Sequence, residues 1–208
     1  MKKAKVRYSL KKEVFNKMEQ MHQHQLMVYI SLIGSSIIFL FLIVAFTASR
    51  PAAFDFLKID FPKSFVVSTI FMLISSFTAS KIIPAYEKDE IEELKNWLGI
   101  TFLLGLSFAA MQFLGWRELQ KSNILFSGDR SGAYLYVISG LHILHIGAIL
   151  IYLLVLLLKC HKVSLDVVQR LMYVTNPYQK IRFRILVDFW HFVDVLWVVL
   201  FFYLLFSF

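Results

Sequence analysis

Residues 132–158 read GAYLYVISGLHILHIGAILIYLLVLLL and contain no Asp, Glu, Lys or Arg. At about 1.5 Å per residue, a helix of this length is longer than the ~30 Å hydrocarbon core of a bilayer. A transmembrane strand would need only about 10 residues of alternating polarity, whereas this run is continuously apolar. The run therefore predicts a membrane-spanning helix that ends at Lys159.

Four further runs of similar composition lie on either side of the first. They occupy residues 26–49, 64–83, 96–116 and 186–208. We expect Pro84 to stop the second of these helices, since proline is disfavoured in a helix interior. The chain is 58% hydrophobic and its mean hydropathy is +0.65, which is too apolar for an ordinary soluble protein. The sequence thus predicts an all-α, polytopic transmembrane bundle of five helices.

The distribution of these runs predicts two parts. Residues 1–25 form a basic N-terminal segment, and residues 26–208 form a single transmembrane domain. The first apolar run is longer than the apolar core of a signal peptide and follows about 25 mostly polar residues, so we expect it to be retained. The loops are too short for a separate catalytic domain.

Basic residues predict the orientation of the chain. Sixteen of the 22 Lys and Arg residues lie in the N-terminal segment and in the second and fourth loops, and six lie in the first and third loops. The positive-inside rule places the N-terminus in the cytoplasm and the C-terminus outside. Because these residues form no separate basic patch with interleaved aromatics, we expect no nucleic-acid partner.

One carboxylate, Asp194, lies inside the last apolar run, with His191 one turn before it. An ionised side chain near the bilayer centre costs about 2.5–3.5 kcal/mol on insertion scales, so it requires a partner or a function. The pair is interpreted as a hydrogen-bonded clamp that fixes helix packing. The alternative is an element of a proton relay.

Two histidines, His142 and His145, share one face of the fourth run. Neutral imidazole binds metals readily, but a site needs further ligands, and the remaining intramembrane candidates are His191 and Asp194. The single cysteine, Cys160, excludes a cysteine-rich metal site or a disulfide within this chain. We therefore expect packing histidines and no bound metal.

Basic residues also follow the fourth run directly, at Lys159, His161 and Lys162. They could bind the phosphates of membrane phospholipids or serve only as a positive-inside anchor. The acidic cluster in the second loop, residues 87–93, is interpreted as a solvated helix start, since carboxylates suit a helix N-terminus.

Small residues form groups within the apolar runs and are interpreted as packing faces that let helices approach closely. They are Gly34, Ser35, Ser36, Ser75, Ser76, Gly140 and Gly147.

Two segments resemble a known family. Residues 190–197, WHFVDVLW, resemble the W-H-F-V-D-V-V-W signature in the last helix of subunit III of the haem-copper oxidases, the cytochrome c oxidase type. Residues 139–146, SGLHILHI, are similar to the T-G-F-H-G-L-H-V segment one helix earlier in that family. Together with Ser75, Ser76, Gly105 and Gln112, these motifs resemble the short, five-helix bacterial form of the subunit from residue 64 onward.

The resemblance implies a core subunit that carries no redox centre. The haem and copper are then expected in a partner, the catalytic subunit I, with other oxidase subunits and membrane phospholipids as further partners. Trp190, His191 and Asp194, with His142 and His145, would form a structural polar cluster. The implied location is the bacterial cytoplasmic (inner) membrane, and the implied role is to stabilise subunit I and to support proton uptake during oxygen reduction.

The chain departs from the family pattern at Ser35-Ser36, where relatives usually carry a glutamate after the serine. Subunit III of a quinol oxidase and an accessory subunit of nitric oxide reductase share the fold and much of the motifs, so both remain alternatives. A small membrane transporter is a third alternative from a different class, although no inverted repeat or broken helix supports it.

Overall fold

A computed structural model of the protein describes residues 23–49, 62–122, 124, 126, 130–174 and 176–206. Within these ranges the chain is all-α. The helices are α1 (Gln23–Ala48), α2 (Lys63–Ser80), α3 (Ile82–Glu87), α4 (Ile91–Lys121), α5 (Arg130–Ser164), α6 (Val167–Val174) and α7 (Pro177–Leu205). Five segments are long and apolar enough to cross a membrane, with α2 and α3 counted as one. The predicted five-helix transmembrane fold is confirmed.

The last helix begins nine residues before the apolar run that predicted it. Pro177 occupies its first turn, and the side chain of Asn176 accepts a hydrogen bond of 3.0 Å from the backbone N–H of Tyr178. Proline tolerates this position because the first N–H groups of a helix have no intrahelical partner, and asparagine is a favoured capping residue. Polar residues therefore continue α7 beyond the hydrophobic stretch.

The prediction that Pro84 stops the second membrane-spanning helix is wrong. Helix α2 ends at Ser80, and Lys81 separates it from α3, in which Pro84 is the third residue. Proline does not break this short helix, because the N–H it lacks would lie in the first turn and need no intrahelical acceptor. The break therefore precedes the proline.

Helix α4 begins with acidic residues, as the acidic cluster at residues 87–93 predicted. Glu92 and Glu93 lie in its first turn, where carboxylates interact favourably with the helix dipole. Helix α4 then extends to Lys121, five residues beyond the predicted end.

The short helix α6 was not predicted, since its eight residues are too few to span a membrane. Among the α6 side chains that the structure describes, that of Tyr173 is buried, and its ring centroid lies 6.4 Å from that of Phe183. Burial raises the pKa of the Tyr173 phenol above its ordinary value.

Contacts between loops show which helix ends lie together. Lys180 forms an ion pair of 2.8 Å with Glu87, and Arg170 donates a hydrogen bond of 3.1 Å to the backbone oxygen of Asp89. The second and fourth connections therefore share one end of the bundle. This is the arrangement that the distribution of basic residues requires, while the side of the membrane on which it lies stays a prediction.

The chain divides into two units after Ile37. The first unit is described from residue 23 and contains the first part of α1. The second unit, residues 38–208, contains a hydrophobic core in which the largest fully buried side chains include Trp190, Trp197, Phe65 and Phe108. The basic segment at residues 1–25 lies mostly outside the described residues.

Candidate functional site: a polar ladder between helices

Three side-chain hydrogen bonds join α2 to α7 and are called the polar ladder below. The pairs are Thr69 Oγ1 with Trp197 Nε1 at 3.0 Å, Ser75 Oγ with Trp190 Nε1 at 3.2 Å, and Ser76 Oγ with His191 Nδ1 at 3.0 Å. Thr69 is paired with Trp197 and Ser75 with Trp190, so the two helices are antiparallel. Two of the three pairs lie near the middle of both spans. At that depth neither water nor lipid tails offer hydrogen bonds to polar groups.

The α2 hydroxyls that accept the indole N–H groups also donate hydrogen bonds. Thr69 Oγ1 donates to the backbone oxygen of Phe65 at 2.8 Å, and Ser75 Oγ donates to that of Met72 at 2.7 Å. A hydroxyl has one proton and two lone pairs, so each of these groups binds its own helix and the indole at the same time. The indole N–H can only donate, which fixes the direction of both bonds.

A second series of bonds joins α2 to α4. Gln112 Nε2 donates to Ser68 Oγ at 2.9 Å, and the Thr78 and Thr101 hydroxyls lie 2.8 Å apart. Near the N-terminal end of α2, the hydroxyl of Ser64 donates a hydrogen bond of 2.6 Å to the Glu118 carboxylate. Helix α2 is therefore hydrogen-bonded on two sides and sets the register of α4 and α7.

Two glycines of α4 provide the space for aromatic rings. A Cβ atom at Gly115 would lie 2.2 Å from Cε1 of Phe65, and one at Gly105 would lie 2.6 Å from Cη2 of Trp190. In contrast, a Cβ atom at Gly147 would meet no described atom within 4 Å. Among the described residues, the expected close packing is therefore absent at Gly147 and at Gly34, and the close approaches occur at Gly105 and Gly115.

Asp194 and His191 come together, as the sequence suggests, but not through a direct hydrogen bond. The Nδ1 atom of His191 lies 3.8 Å from Oδ2 of Asp194 and bonds instead to Ser76. The side chain of Asp194 is 6% exposed, and neither oxygen has a hydrogen-bond partner within the described ranges. The side chain of His191 is 38% exposed. The hydrogen bond at this position therefore joins His191 to Ser76, and Asp194 lies next to His191 without one.

His142 and His145 have different surroundings although they share a helix face. His142 is completely buried, its ring centroid lies 5.0 Å from that of Trp197 and 5.7 Å from that of Phe108, and neither ring nitrogen is hydrogen-bonded in the described part of the chain. His145 is partly buried, and its Nδ1 lies 2.8 Å from the backbone oxygen of Leu141. His142 thus packs as an aromatic ring.

Lys159, His161 and Lys162 are exposed at the end of α5. Cys160, which lies between them, is buried, with Sγ 3.8 Å from the backbone oxygen of Ile91. The three exposed side chains are open to an external ligand. Their binding of phospholipid stays a prediction.

Some members of this site were not identified from the sequence. Thr69, Ser68 and Thr78 are unremarkable in an apolar run, because a lone hydroxyl is tolerated in any transmembrane helix when it bonds its own backbone. A signal was nevertheless present, since Trp190 and Trp197 are seven residues apart and share one helix face on which both N–H groups need an acceptor.

The site is chemically suited to holding helices together. Within the described residues there is no group of three or more His, Cys, Asp or Glu side chains that could hold a metal ion. The fold and the polar ladder define a multi-pass helical membrane protein whose helices are held in register by buried hydrogen bonds.

The chain belongs to the cytochrome c oxidase subunit III family, whose model matches residues 62–207. This range includes all three pairs of the polar ladder. The family assignment made from residues 139–146 and 190–197 is confirmed.

Curated relatives share about three residues in ten with the chain. A cytochrome bo(3) ubiquinol oxidase subunit 3 of Pseudomonas putida is 30% identical over 74% of this chain and 68% of its own length. A probable cytochrome c oxidase subunit 3 of Mycobacterium bovis is 31% identical over 64% of this chain and 61% of its own length. A cytochrome c oxidase subunit 3 of a Bacillus species is 27% identical over 65% and 60%. The chain thus spans about three fifths to two thirds of the length of these relatives.

Proposed function

We propose that this chain is the non-redox subunit III of a proton-translocating terminal oxidase in the bacterial cytoplasmic (inner) membrane. It stabilises the haem-copper catalytic subunit I and supports sustained proton uptake during oxygen reduction, with cytochrome c as the electron donor. The family match over residues 62–207 carries the proposal, since it includes most of the membrane-spanning part of the chain.

The polar groups of the chain support a structural role within that enzyme. The polar ladder uses its hydroxyl, indole and imidazole groups in hydrogen bonds between helices. His142 packs between aromatic rings rather than beside another ligand. We therefore assign the haem and copper to the partner subunit and no redox cofactor to this chain.

The end of the bundle that carries the second and fourth connections is proposed to face the cytoplasm. Its basic residues follow the positive-inside rule. Lys159, His161 and Lys162 are exposed at this end, where basic side chains can bind the phosphates of phospholipid headgroups. The C-terminus of α7 then lies on the outer side.

A quinol oxidase is the second candidate for the complete enzyme. The observation that favours it is the Pseudomonas putida relative, which is named a subunit of a ubiquinol oxidase. The two candidates differ in the electron donor of the complex. They agree on the role of this chain.

The proposal is tested by isolating the tagged full chain from its native membrane in mild detergent. Haem-bearing chains should co-purify, and the complex should reduce oxygen with either reduced cytochrome c or a quinol. Activity with cytochrome c alone supports the first candidate, and activity with quinol alone supports the second. A haem-free preparation from membranes that contain active oxidase would contradict the proposal and favour a transporter.

A further inference from the structure

The polar ladder ends on the surface of the chain at His191. Its Nδ1 is hydrogen-bonded to Ser76, its side chain is 38% exposed, and Nε2 forms no hydrogen bond with another described residue. Trp190 and Trp197, in contrast, are buried and bonded to α2. His191 is thus the member of the ladder that is open to the outside.

The depth of this imidazole restricts what can satisfy it. His191 lies at the middle of the span Tyr178–Leu205, and Ser76 lies next to the middle of the span Lys63–Glu87. A helix side chain at this depth faces hydrocarbon, where acyl chains offer no hydrogen-bonding group and water is excluded. A phospholipid headgroup is about half a bilayer away. The remaining source of a hydrogen-bonding group is another membrane-spanning protein segment.

The surroundings of His191 fit such a segment. Exposed apolar residues lie one turn after His191 on α7 and directly after Ser76 on α2: Val195 is 63% exposed and Phe77 is 59% exposed. Next to the imidazole, Asp194 is buried, and its two oxygens accept no hydrogen bond from a described residue. Buried polar side chains next to a half-exposed one, inside an apolar surface, are typical of helix interfaces in membranes, where polar side chains bond across helices.

We propose that His191 is a contact through which this chain hydrogen-bonds a transmembrane helix of a different oxidase subunit. The partner helix presents a hydroxyl or amide side chain (Ser, Thr, Tyr, Asn or Gln) near the middle of the bilayer. Such a group can donate or accept, so it matches Nε2 whichever ring nitrogen carries the proton. The proposal rests on the proposed function for the existence of a second subunit, and it adds the position and chemistry of the contact.

The first test is photo-crosslinking in native membranes with benzoylphenylalanine at position 195, one turn from His191 in an otherwise unchanged chain. The expected adduct joins position 195 to a segment of a different chain that contains one of the five named residue types. The same probe at position 144, which is exposed on α5, shows whether the adduct is specific to this face. Adducts with lipid alone, or with a second copy of this chain alone, would overturn the inference.

The second test compares His191→Phe, which removes the hydrogen bond, with His191→Gln, which retains a polar group. The matched control is Leu144→Phe, which places the same ring at an exposed apolar position. Hydrogen bonds between transmembrane helices have modest strength, so His191→Phe should lower the amount of partner recovered per tagged chain roughly three- to tenfold. His191→Gln and Leu144→Phe should recover amounts close to the unchanged chain.

The results separate this inference from the proposed function. Full recovery of haem-bearing chains with His191→Phe would overturn the contact and leave the proposed function intact. Equal losses with His191→Phe and His191→Gln would also overturn it, because the loss would not depend on hydrogen bonding. If His191→Phe lowers the amount of the chain itself, the crosslink at position 195 decides the question.

Discussion

At the scale of single residues, Gly115 shows how a missing side chain sets the distance between two helices. The ring of Phe65 occupies the space that a Cβ atom would need, and Phe65 is completely buried against Trp197. A buried ring has little room to move aside, because membrane helices gain stability mainly from close packing. The glycine therefore acts together with the first rung of the polar ladder.

Replacing Gly115 by Ala should destabilise the protein by about 1–3 kcal/mol, since the added methyl group overpacks the contact with Phe65. The measurement is thermal denaturation of the purified complex in detergent. Gly147→Ala is the matched control, because it gives the same gain in helix propensity at a position where the methyl group meets no described atom. Equal stability of the two variants would show that Phe65 moves without cost.

His142→Phe should be tolerated, with a loss of at most about 1.5 kcal/mol, because it replaces a buried imidazole by a ring of similar shape. The two ring nitrogens of His142 lack partners among the described residues, so their removal also ends a desolvation cost. Denaturation temperature and oxygen consumption of the complex are the measurements. A large loss of activity with normal stability would instead indicate that His142 handles protons or binds a ligand.

At the scale of helices, α2 fixes the relative heights of its neighbours α4 and α7. It is bonded to α7 through the polar ladder and to α4 through Ser68 and Thr78. Sliding α7 by one helical turn, about 5.4 Å, would break every rung at once. Apolar packing alone tolerates several registers, so the hydrogen bonds supply the specificity.

Thr69→Val should weaken the α2–α7 contact, because valine keeps the shape of threonine but offers no acceptor to the buried N–H of Trp197. The expected coupling in a double-mutant cycle with Trp197→Phe is about 0.6–1.7 kcal/mol, the range for hydrogen bonds between membrane helices. Thr69→Ser retains the hydroxyl and serves as the control. A coupling near zero would mean that the N–H finds another partner.

The sequence was sufficient to predict the five spans and the proximity of His191 to Asp194, because apolar runs and a one-turn spacing are local signals, but not the hydrogen bond of His191 to Ser76. It was insufficient for the bounds of α7, since the cap at Asn176 and Pro177 extends that helix through polar residues that hydropathy excludes. The break at Lys81 was also missed. Proline is disfavoured in a helix interior but tolerated in a first turn, and only the structure shows that Pro84 lies in the first turn of α3.

The partners of the tryptophans could not be predicted for a different reason. Which hydroxyl meets which indole depends on the rotation and height of two helices that are more than 100 residues apart in sequence. The close approaches at Gly105 and Gly115 likewise depend on where the rings of Trp190 and Phe65 lie on the neighbouring helices. Such contacts are properties of the assembled bundle.

At the scale of the whole molecule, the membrane orientation is open to a direct test. Gln169 and Lys121 are exposed near opposite ends of the bundle, and the native Cys160 is buried. An impermeant maleimide added outside intact cells should label Lys121→Cys and leave Gln169→Cys unlabelled until the membrane is opened. The reverse pattern would place the basic loops outside and refute the proposed cytoplasmic N-terminus.

Removing the chain from the complex should leave the haem absorbance of the catalytic subunit nearly unchanged and shorten the period over which oxygen is reduced. The reason is that neighbouring helices restrict local opening of a membrane protein without taking part in its chemistry. Matched preparations with and without the chain are followed through many turnovers in the same lipid. Immediate haem loss, or identical lifetimes, would contradict the supporting role.

The double use of the α2 hydroxyls has a consequence for biogenesis. The hydroxyls of Thr69 and Ser75 donate to the backbone of their own helix. Helix α2 can therefore insert into the membrane with these donors satisfied and remain stable there before α7 is present. Helix α7 is synthesised after α2 and brings two indole N–H groups that become satisfied only on docking. The α2–α7 contact therefore forms when α7 docks on a helix that is already stable in the membrane, and truncation before Trp190 should leave an inserted but open bundle.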